Sequence, residues 1–348
     1  MKLGKLDLGN KLIVAPMADV SDAPFRKIAK ENGAGLTFTP MVSAKGIIDN
    51  EFHALRIAAF ARDEKPIGVQ LLGNNPEYLA GAVHELKRYK PDIIDINCGC
   101  PVPKVTKHNF GAQLLDDPIL MGKMIEAMVD AAGDIPISVK VRLGKSDGKI
   151  NILETSKVAE ESGASAIIVH TRAKDTRYKE DSSWEWLSKV KEHVKIPVIG
   201  NGSLFTPKDI KEMMARTNVD GVMIARGALG NPFIFNRYRE LIENGSDSGE
   251  PSIEEIESVT IRHSRLIARE YPDAVATIKA RKNILWYFKH LDGIYEFASI
   301  LMRTKSVEGE IKMIHEHVEK LKQNFYPKDD RELIDQKFKE RVLFWLNE

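Results

Sequence analysis

The chain has only two cysteines in 348 residues, Cys98 and Cys100. Two thiols are too few for a disulfide framework, and one intervening residue is poor spacing for a bridge. No Cys or His cluster lies nearby to complete a structural zinc site, so no metal is expected. No apolar stretch approaches the ~18 residues of a membrane span. Behind Met1, the charges of Lys5, Asp7 and Lys11 interrupt any signal-peptide core. These absences point to a cytoplasmic protein without a membrane partner, and a monomer is expected. A charge surplus is missing too: 51 Lys and Arg face 50 Asp and Glu, a net charge of +1. A protein that merely coats nucleic acid is usually far more basic, so any RNA contact must come from a local basic face. There is no G-x-G-x-x-G. Gly144-Lys145-Ser146 imitates the end of a P-loop, but Val139 stands where the upstream glycine belongs. A mononucleotide cofactor is therefore favoured over an integral dinucleotide domain.

What is present is a repeated alternation of short apolar runs with amphipathic stretches. The runs are eight: Leu12–Ala15, Gly35–Met41, Pro66–Leu72, Asp92–Asn97, Pro136–Arg142, Ala166–His170, Ile196–Gly200 and Val219–Ala225. Helical patterns such as Pro76–Tyr89 and Asn151–Ser162 lie between them, and Gly33 and Gly163 sit where left-handed caps belong. Strand–helix alternation argues for a parallel sheet. Eight units favour a closed (β/α)8 barrel over the alternative, an open doubly wound sheet. The barrel is expected over residues 1–243. Polar residues 244–251, Asn244 to Pro251, read as a linker. Ser252 and Glu255 then have capping-box spacing, and periodicity from Ser252 to Glu348 predicts a helical domain.

Barrel active sites lie at the carboxyl ends of the strands, and unusual polar residues gather there. They are Pro16-Met17-Ala18, Gln70, Asn97 followed by Cys98-Gly99-Cys100-Pro101, Lys140 and Arg142, His170-Thr171-Arg172, Asn201-Gly202-Ser203, and Ala225-Arg226-Gly227. In Ser138-Val139-Lys140-Val141-Arg142 the valines share one face and the polar residues the other. A lysine inside a barrel needs an anionic partner unless it reaches solvent at the strand end. Anionic reduced flavin is a candidate. The glycines of Gly200-Asn201-Gly202 and Arg226-Gly227 serve tight turns or let backbone N–H groups approach a phosphate, and the loops after strands 7 and 8 are where barrels bind phosphate. Cys98 continues its strand and reads as a small buried hydrophobe. Cys100 lies past the strand end, between Gly99 and Pro101, where a chemical role is favoured. His170 is a core histidine or part of the site, and its strand-end position favours the site.

The ordered set of motifs resembles the tRNA-dihydrouridine synthase family over nearly the whole chain. It comprises Ala15–Arg26 (APMADVSDAPFR), Gln70-Leu71-Leu72-Gly73, Asp95–Pro101 (DINCGCP) with Lys104-Val105, Val139–Arg142, His170-Thr171-Arg172, Gly200-Asn201-Gly202 and Ala225–Ala228. The resemblance implies bound FMN, NADPH as reductant and a uridine of tRNA as substrate. It places Pro16, Met17, Ala18, Gln70, Lys140, His170, Asn201, Gly202, Ser203, Ala225 and Arg226 around the flavin. It makes Cys100 the proton donor and puts Asn97 and Arg142 near the substrate base. The family often has Asp where this chain has Ser203, and an apolar residue such as Met where it has Cys98. The residues suit that chemistry. A uracil ring is an activated enone, and a largely protonated thiol can supply the proton at C5 while Lys140, Arg142 and His170 balance charge. The readings to exclude are a reductase of a free pyrimidine or other small enone, a flavin-free phosphate-sugar isomerase or lyase, and a non-catalytic RNA-binding protein. Between Ile261 and His290 seven Lys or Arg face two acids. This local excess, and the family's use of its helical domain, make Arg281 and Lys282 candidate tRNA contacts.

Overall fold

The computed structural model describes residues 1–176 and 182–323. The chain forms two compact units, one spanning Met1–Gly227 and the other beginning at Ala228. No helix among the described residues is long and apolar enough to cross a membrane.

The first unit is a ring of eight parallel strands: β1 (Leu12–Val14), β2 (Thr37–Phe38), β3 (Ile67–Leu72), β4 (Ile93–Cys98), β5 (Ile137–Arg142), β6 (Ala166–His170), β7 (Val198–Asn201) and β8 (Gly221–Ile224). β8 pairs with β1, and the seam between β1 and β2 is a bridge from Ile13 to Leu36 with Val14 N–H donating to the Leu36 carbonyl at 2.8 Å. The (β/α)8 expectation holds, and the open sheet is excluded. The second apolar run makes a shorter strand than its length suggests. Pro40, which cannot donate to the ladder, lies between Thr37–Phe38 and a second pairing segment, Val42–Ser43.

Among the described residues the longer helices that return the chain between strands are α1 (Ala23–Glu31), α2 (Pro76–Leu86), α3 (Pro118–Ala132), α4 (Ile152–Glu161), α5 (Glu185–His193) and α6 (Pro207–Thr217), while two short helices, Ala44–Ile48 and Phe52–Ala58, lead into β3. Most start on side-chain caps. Asp22, Asn75, Asp117 and Thr206 each accept a backbone N–H of the first turn, which typically stabilises a helix by about 1 kcal/mol. Gly33 and Gly163 have φ of +96° and +88°, as left-handed caps require.

Inside the ring, alternate residues of each strand point inward. The lower part is apolar, with Ile13, Leu36, Phe38, Ile93, Ala166, Ile168, Ile199 and Met223 forming one cluster. A hairpin of Lys2–Leu3 and Leu6–Asp7 closes this end, with Leu3 and Leu8 buried against the cluster. Burying such a side chain stabilises by about 1.5–3 kcal/mol. One pleat higher the inward positions turn polar, and the site begins there.

The second unit is helical throughout its described length: α7 (Ile234–Asn244), α8 (Ile253–Glu270), α9 (Asp273–Phe288), α10 (Ile294–Leu301) and α11 (Val307–Lys322). The capping box forms as read, with Ser252 Oγ accepting from Glu255 N–H and Glu255 Oε2 accepting from Ser252 N–H. The polar stretch 244–251 is tied to α7, where Arg237 pairs with Asp247 at 2.8 Å and Glu250 at 2.9 Å. Residues 324–348 of the expected helical domain lie outside the described residues.

Candidate active site

Strand register brings together residues far apart in sequence. Gln70 on β3 lies opposite Asp95 on β4, which lies opposite Ser138 on β5. One pleat higher, Asn97 lies opposite Lys140. The buried Asp95 carboxylate accepts from Gln70 Nε2 at 2.7 Å and from Ser138 Oγ at 2.7 Å. Gln70 Oε1 then accepts from Asn97 Nδ2 at 2.9 Å. Burial pushes Asp95 up to about 7, against the opposing effects of its two donors and of Lys140.

The amide chain ends on the thiol loop. Asn97 Oδ1 accepts the backbone N–H groups of Gly99 at 3.1 Å and Cys100 at 2.9 Å. On the other side, Ala112 N–H donates to the Cys100 carbonyl at 2.9 Å. Gly111, at φ +61°, permits this approach, since a Cβ there would stand 2.6 Å from that carbonyl. Arg142, buried, donates from Nε to the Gly99 carbonyl at 3.0 Å and from Nη1 to the Ala173 carbonyl at 2.7 Å. Cys100 itself is half-buried. Burial raises its thiol above the ordinary range, while the Val102 backbone N–H, Arg142 and Lys140 oppose that rise. It therefore stays protonated at neutral pH, as an acid must. Cys98 is wholly buried, and burial, with Asp95, pushes its thiol up.

Across the mouth, Lys140 Nζ donates to Asn201 Oδ1 at 3.1 Å, and Asn201 Nδ2 donates to the Met223 carbonyl at 2.7 Å. Burial, then Arg142, lowers Lys140 to about 8, with Asp95 raising it. His170 lies well below its usual range, first through burial and then through Arg142, Lys140, Arg172 and Arg226. The direction of that shift favours the neutral ring, which leaves the nearby positive charge on Lys140 and Arg142. Gly202 has φ +133°, and a Cβ there would stand 2.4 Å from Thr171 Oγ1. Ser203, at φ +54°, accepts from Arg172 Nη2 at 2.8 Å. Trp184 Nε1 donates to the Gly202 carbonyl at 3.2 Å. Arg226 lies over the Phe205 ring at 5.2 Å. Beyond β1, the Met17 N–H donates to Ser21 Oγ at 2.9 Å, and Arg26, in a buried ion pair with Glu64, donates to the Ser21 carbonyl at 2.9 Å. This fixes the Pro16-Met17-Ala18 turn.

Hydrogen bonds thus join Gln70, Asn97, the backbone of Gly99 and Cys100, and Arg142 in one cluster and Lys140 with Asn201 in another. Ala225 follows β8, and Ala18 is exposed beyond β1. Asp95, Ser138, Trp184, Ser21 and Gly111 join the site without having been named for it in the sequence. Asp95 carried a signal: it alternates with Asn97 on an otherwise apolar strand, so both must face the barrel interior. The two candidate tRNA contacts lie on α9 of the second unit. Arg281 is committed to Glu310 at 3.1 Å and to the Thr304 carbonyl at 2.6 Å. Lys282, half-buried, lies over the Trp286 ring at 5.3 Å. On α8, Arg262, Arg265 and Arg269 are all exposed, at spacings that place them on one face.

The donor set at the barrel mouth suits FMN. An ammonium, on Lys140, and a guanidinium, on Arg226, match a phosphate and a carbonyl-rich ring whose reduced form is anionic.

A family model described as dihydrouridine synthase (Dus) matches residues 13–325. A "Probable tRNA-dihydrouridine synthase" of Rickettsia conorii is 35% identical over 298 residues, covering 85% of this chain and 90% of that protein. The "tRNA-dihydrouridine synthase B" of Vibrio vulnificus is 35% identical over 297 residues, covering 85% and 92%. Among solved structures, histamine dehydrogenase from Rhizobium sp. 4-9 is similar with a TM-score of 0.56 at 16% identity, covering 84% of this chain and 53% of that one. An old yellow enzyme homologue from Zymomonas mobilis has a TM-score of 0.51 at 13% identity, covering 74% and 94%. These structural likenesses concern the fold alone.

Proposed function

The chain belongs to the dihydrouridine synthase family, and on that premise we propose that it reduces the C5–C6 double bond of a uridine in tRNA, with FMN as cofactor, NADPH as reductant and Cys100 as proton donor. The observation that carries this reading is the Cys100 loop. It presents a protonated thiol, clamped by Asn97, Ala112 and Arg142, within the electrostatic reach of Lys140.

The residues divide the work. Lys140, Asn201, Gly202, Ser203, Ala225 and Arg226 would hold the cofactor, with Pro16, Met17, Ala18, Gln70 and His170 lining it. When bound and reduced, FMN would supply the hydride that adds at C6. Cys100 Sγ–H gives its proton to C5, so the substrate gains a hydride and a proton. The thiolate left behind is stabilised by the Val102 N–H, Arg142 and Lys140, and its partial exposure lets water reprotonate it. Arg142 and Asn97 would lie near the substrate base. The uridine must leave its stack to reach the mouth. The basic residues of α8 and α9 would contact phosphates, which position RNA without reading its sequence.

The test is direct. The purified protein should release FMN on denaturation, oxidise NADPH, and form dihydrouridine in unmodified tRNA while leaving free uridine untouched. FAD in place of FMN, or equal turnover of free uridine, overturns the reading.

A further inference from the structure

Asp95 has no role in the proton or hydride transfers just described, yet it is wholly buried on an inward position of β4. A buried carboxylate without a job is costly, and its hydrogen bonds show what it does. An ionised carboxylate is acceptor-only. Gln70 must therefore turn its Nε2 toward Asp95 Oδ2, at 2.7 Å. That fixes the other end of the same amide: Gln70 Oε1 faces Asn97 and takes its Nδ2 at 2.9 Å. Asn97 is fixed in turn, because only its Oδ1 remains to accept the N–H groups of Gly99 and Cys100. If the Gln70 amide turned over, its Nε2 would face Asn97. Asn97 would then have to present oxygen to Gln70 and its own Nδ2 to two backbone donors, and the loop would lose both hydrogen bonds.

We propose that Asp95 is a positioning residue that sets the orientation of the Gln70 and Asn97 amides and thereby holds the Cys100 loop in place for proton donation. This rests on the reading of Cys100 as the acid. Ser138 makes the arrangement robust. Its hydroxyl donates to Asp95 Oδ1 at 2.7 Å and can reverse to accept, so a proton on that oxygen leaves the Gln70 side unchanged. What the chain needs from position 95 is an acceptor aimed at Gln70, not a negative charge.

This yields a discriminating pair of substitutions. Asp95→Asn keeps an acceptor for Gln70 while its amide donates to Ser138. Asp95→Leu removes the acceptor. The readout is alkylation of Cys100 by iodoacetamide from pH 6 to 10, in protein with and without FMN, in a Cys98→Ala background so that one thiol reports. Asp95→Leu should speed Cys100 alkylation about tenfold, the factor equivalent to losing roughly one net hydrogen bond at the loop. In the enzyme it should lower kcat for uridine reduction by a similar factor. Asp95→Asn should match the wild type in both. Gln70→Met, which breaks the next link, should reproduce the Leu alkylation profile and serves if Asp95→Leu does not fold. Wild-type alkylation in Asp95→Leu or Gln70→Met overturns the proposal. So does an Asn variant as impaired as the Leu variant, since charge would then be what matters. If Cys100→Ala retained full uridine reduction, the assignment of the acid would fail, while the alkylation profiles would still decide whether Asp95 positions the loop.

Discussion

Burial lifts Asp95 in the barrel and Glu310 in the helical unit to the same place, about 7 in each case. It likewise lowers Lys140 and Lys289 to about 8 in each case. Their surroundings differ. Glu310 pairs with Arg281, and Lys289 donates to the Leu229 carbonyl at 3.0 Å. The Glu310–Arg281 pair joins α11 to α9, and Lys289 ties the end of α9 to the loop before α7. Asp95 and Lys140 belong to a set drawn from β3, β4, β5 and β7 that shares a mouth with a thiol. Desolvation perturbs a titratable group wherever it is buried, so the shift alone does not mark an active site. Convergence of several such groups at the strand ends does.

The largest effect that can break this contrast is at the thiols. Cys100→Ala should keep FMN and its reduction by NADPH but lose ~10²–10⁴-fold in uridine reduction, the usual contribution of a general acid. Cys98→Ala should cost only about 1 kcal/mol of stability, as a small core truncation does, and little activity. Single-turnover assays of dihydrouridine formation read both. Reversed effects would move the acid to the buried thiol.

Next is Lys140, where a charge serves the site. Lys140→Met should weaken FMN binding about 10–100-fold, the equivalent of one charge-assisted hydrogen bond, as measured by flavin fluorescence on titration. Unchanged affinity would put Lys140 with Lys289 among the structural cations.

The third prediction concerns a charge that serves structure. Arg281→Met strands Glu310, whose side chain is wholly buried. The folded carboxyl is raised from its ordinary 4.5 to about 7, so the stability its protonated form gives is complete below pH 4.5 and is lost as pH rises through 7. Removing Arg281 takes away the influences that lower it and moves that loss to higher pH. The variant should be destabilised by about 3 kcal/mol at pH 8.5, a typical cost of breaking a buried pair, and much less at pH 5.5. Thermal melts at the two pH values test this. Equal losses at both would mean that the guanidinium's packing, not the ion pair, is what matters.

The same contrast explains what was legible in the sequence. Strand existence was legible because runs such as Ile93–Cys98 are buried on both faces and bounded by turns. So were the caps, whose partners lie three residues away, as with Ser252 and Glu255. The Cys100 loop and Lys140 stood out by position alone. The Asp95 chain did not, because its partners come from β3 and β5, 25 residues before and 43 after. Arg281 reads in sequence as one more member of a basic cluster, and only the fold reveals Glu310, 29 residues further on. The N-terminal hairpin is too short to show any period, yet it closes the barrel floor.

The smallest expected effect is also the one that separates α9's two neighbouring cations. Lys282 lies over the Trp286 ring and remains partly exposed, whereas Arg281 is held by Glu310 and the Thr304 carbonyl. A lysine that meets an RNA phosphate releases about one condensed counterion, and its removal should lower the slope of log K against log salt by about 0.7–0.9. Lys282→Ala should therefore weaken tRNA binding modestly at low salt and hardly at all at high salt, with NADPH oxidation by the flavin unchanged. Arg281→Met, measured at pH 5.5 where the fold tolerates it, should leave the slope close to that of the wild type. The exposed arginines of α8 offer the positive control, since Arg262, Arg265 and Arg269 share one face. Alanine at all three should flatten the slope by about two to three units if each meets a phosphate. Filter-binding titrations between 50 and 200 mM salt would resolve all three cases. If Arg281→Met flattened the slope as much as Lys282→Ala, the guanidinium would have to leave Glu310 when RNA binds, and the division between structural and functional charge in the helical unit would fall.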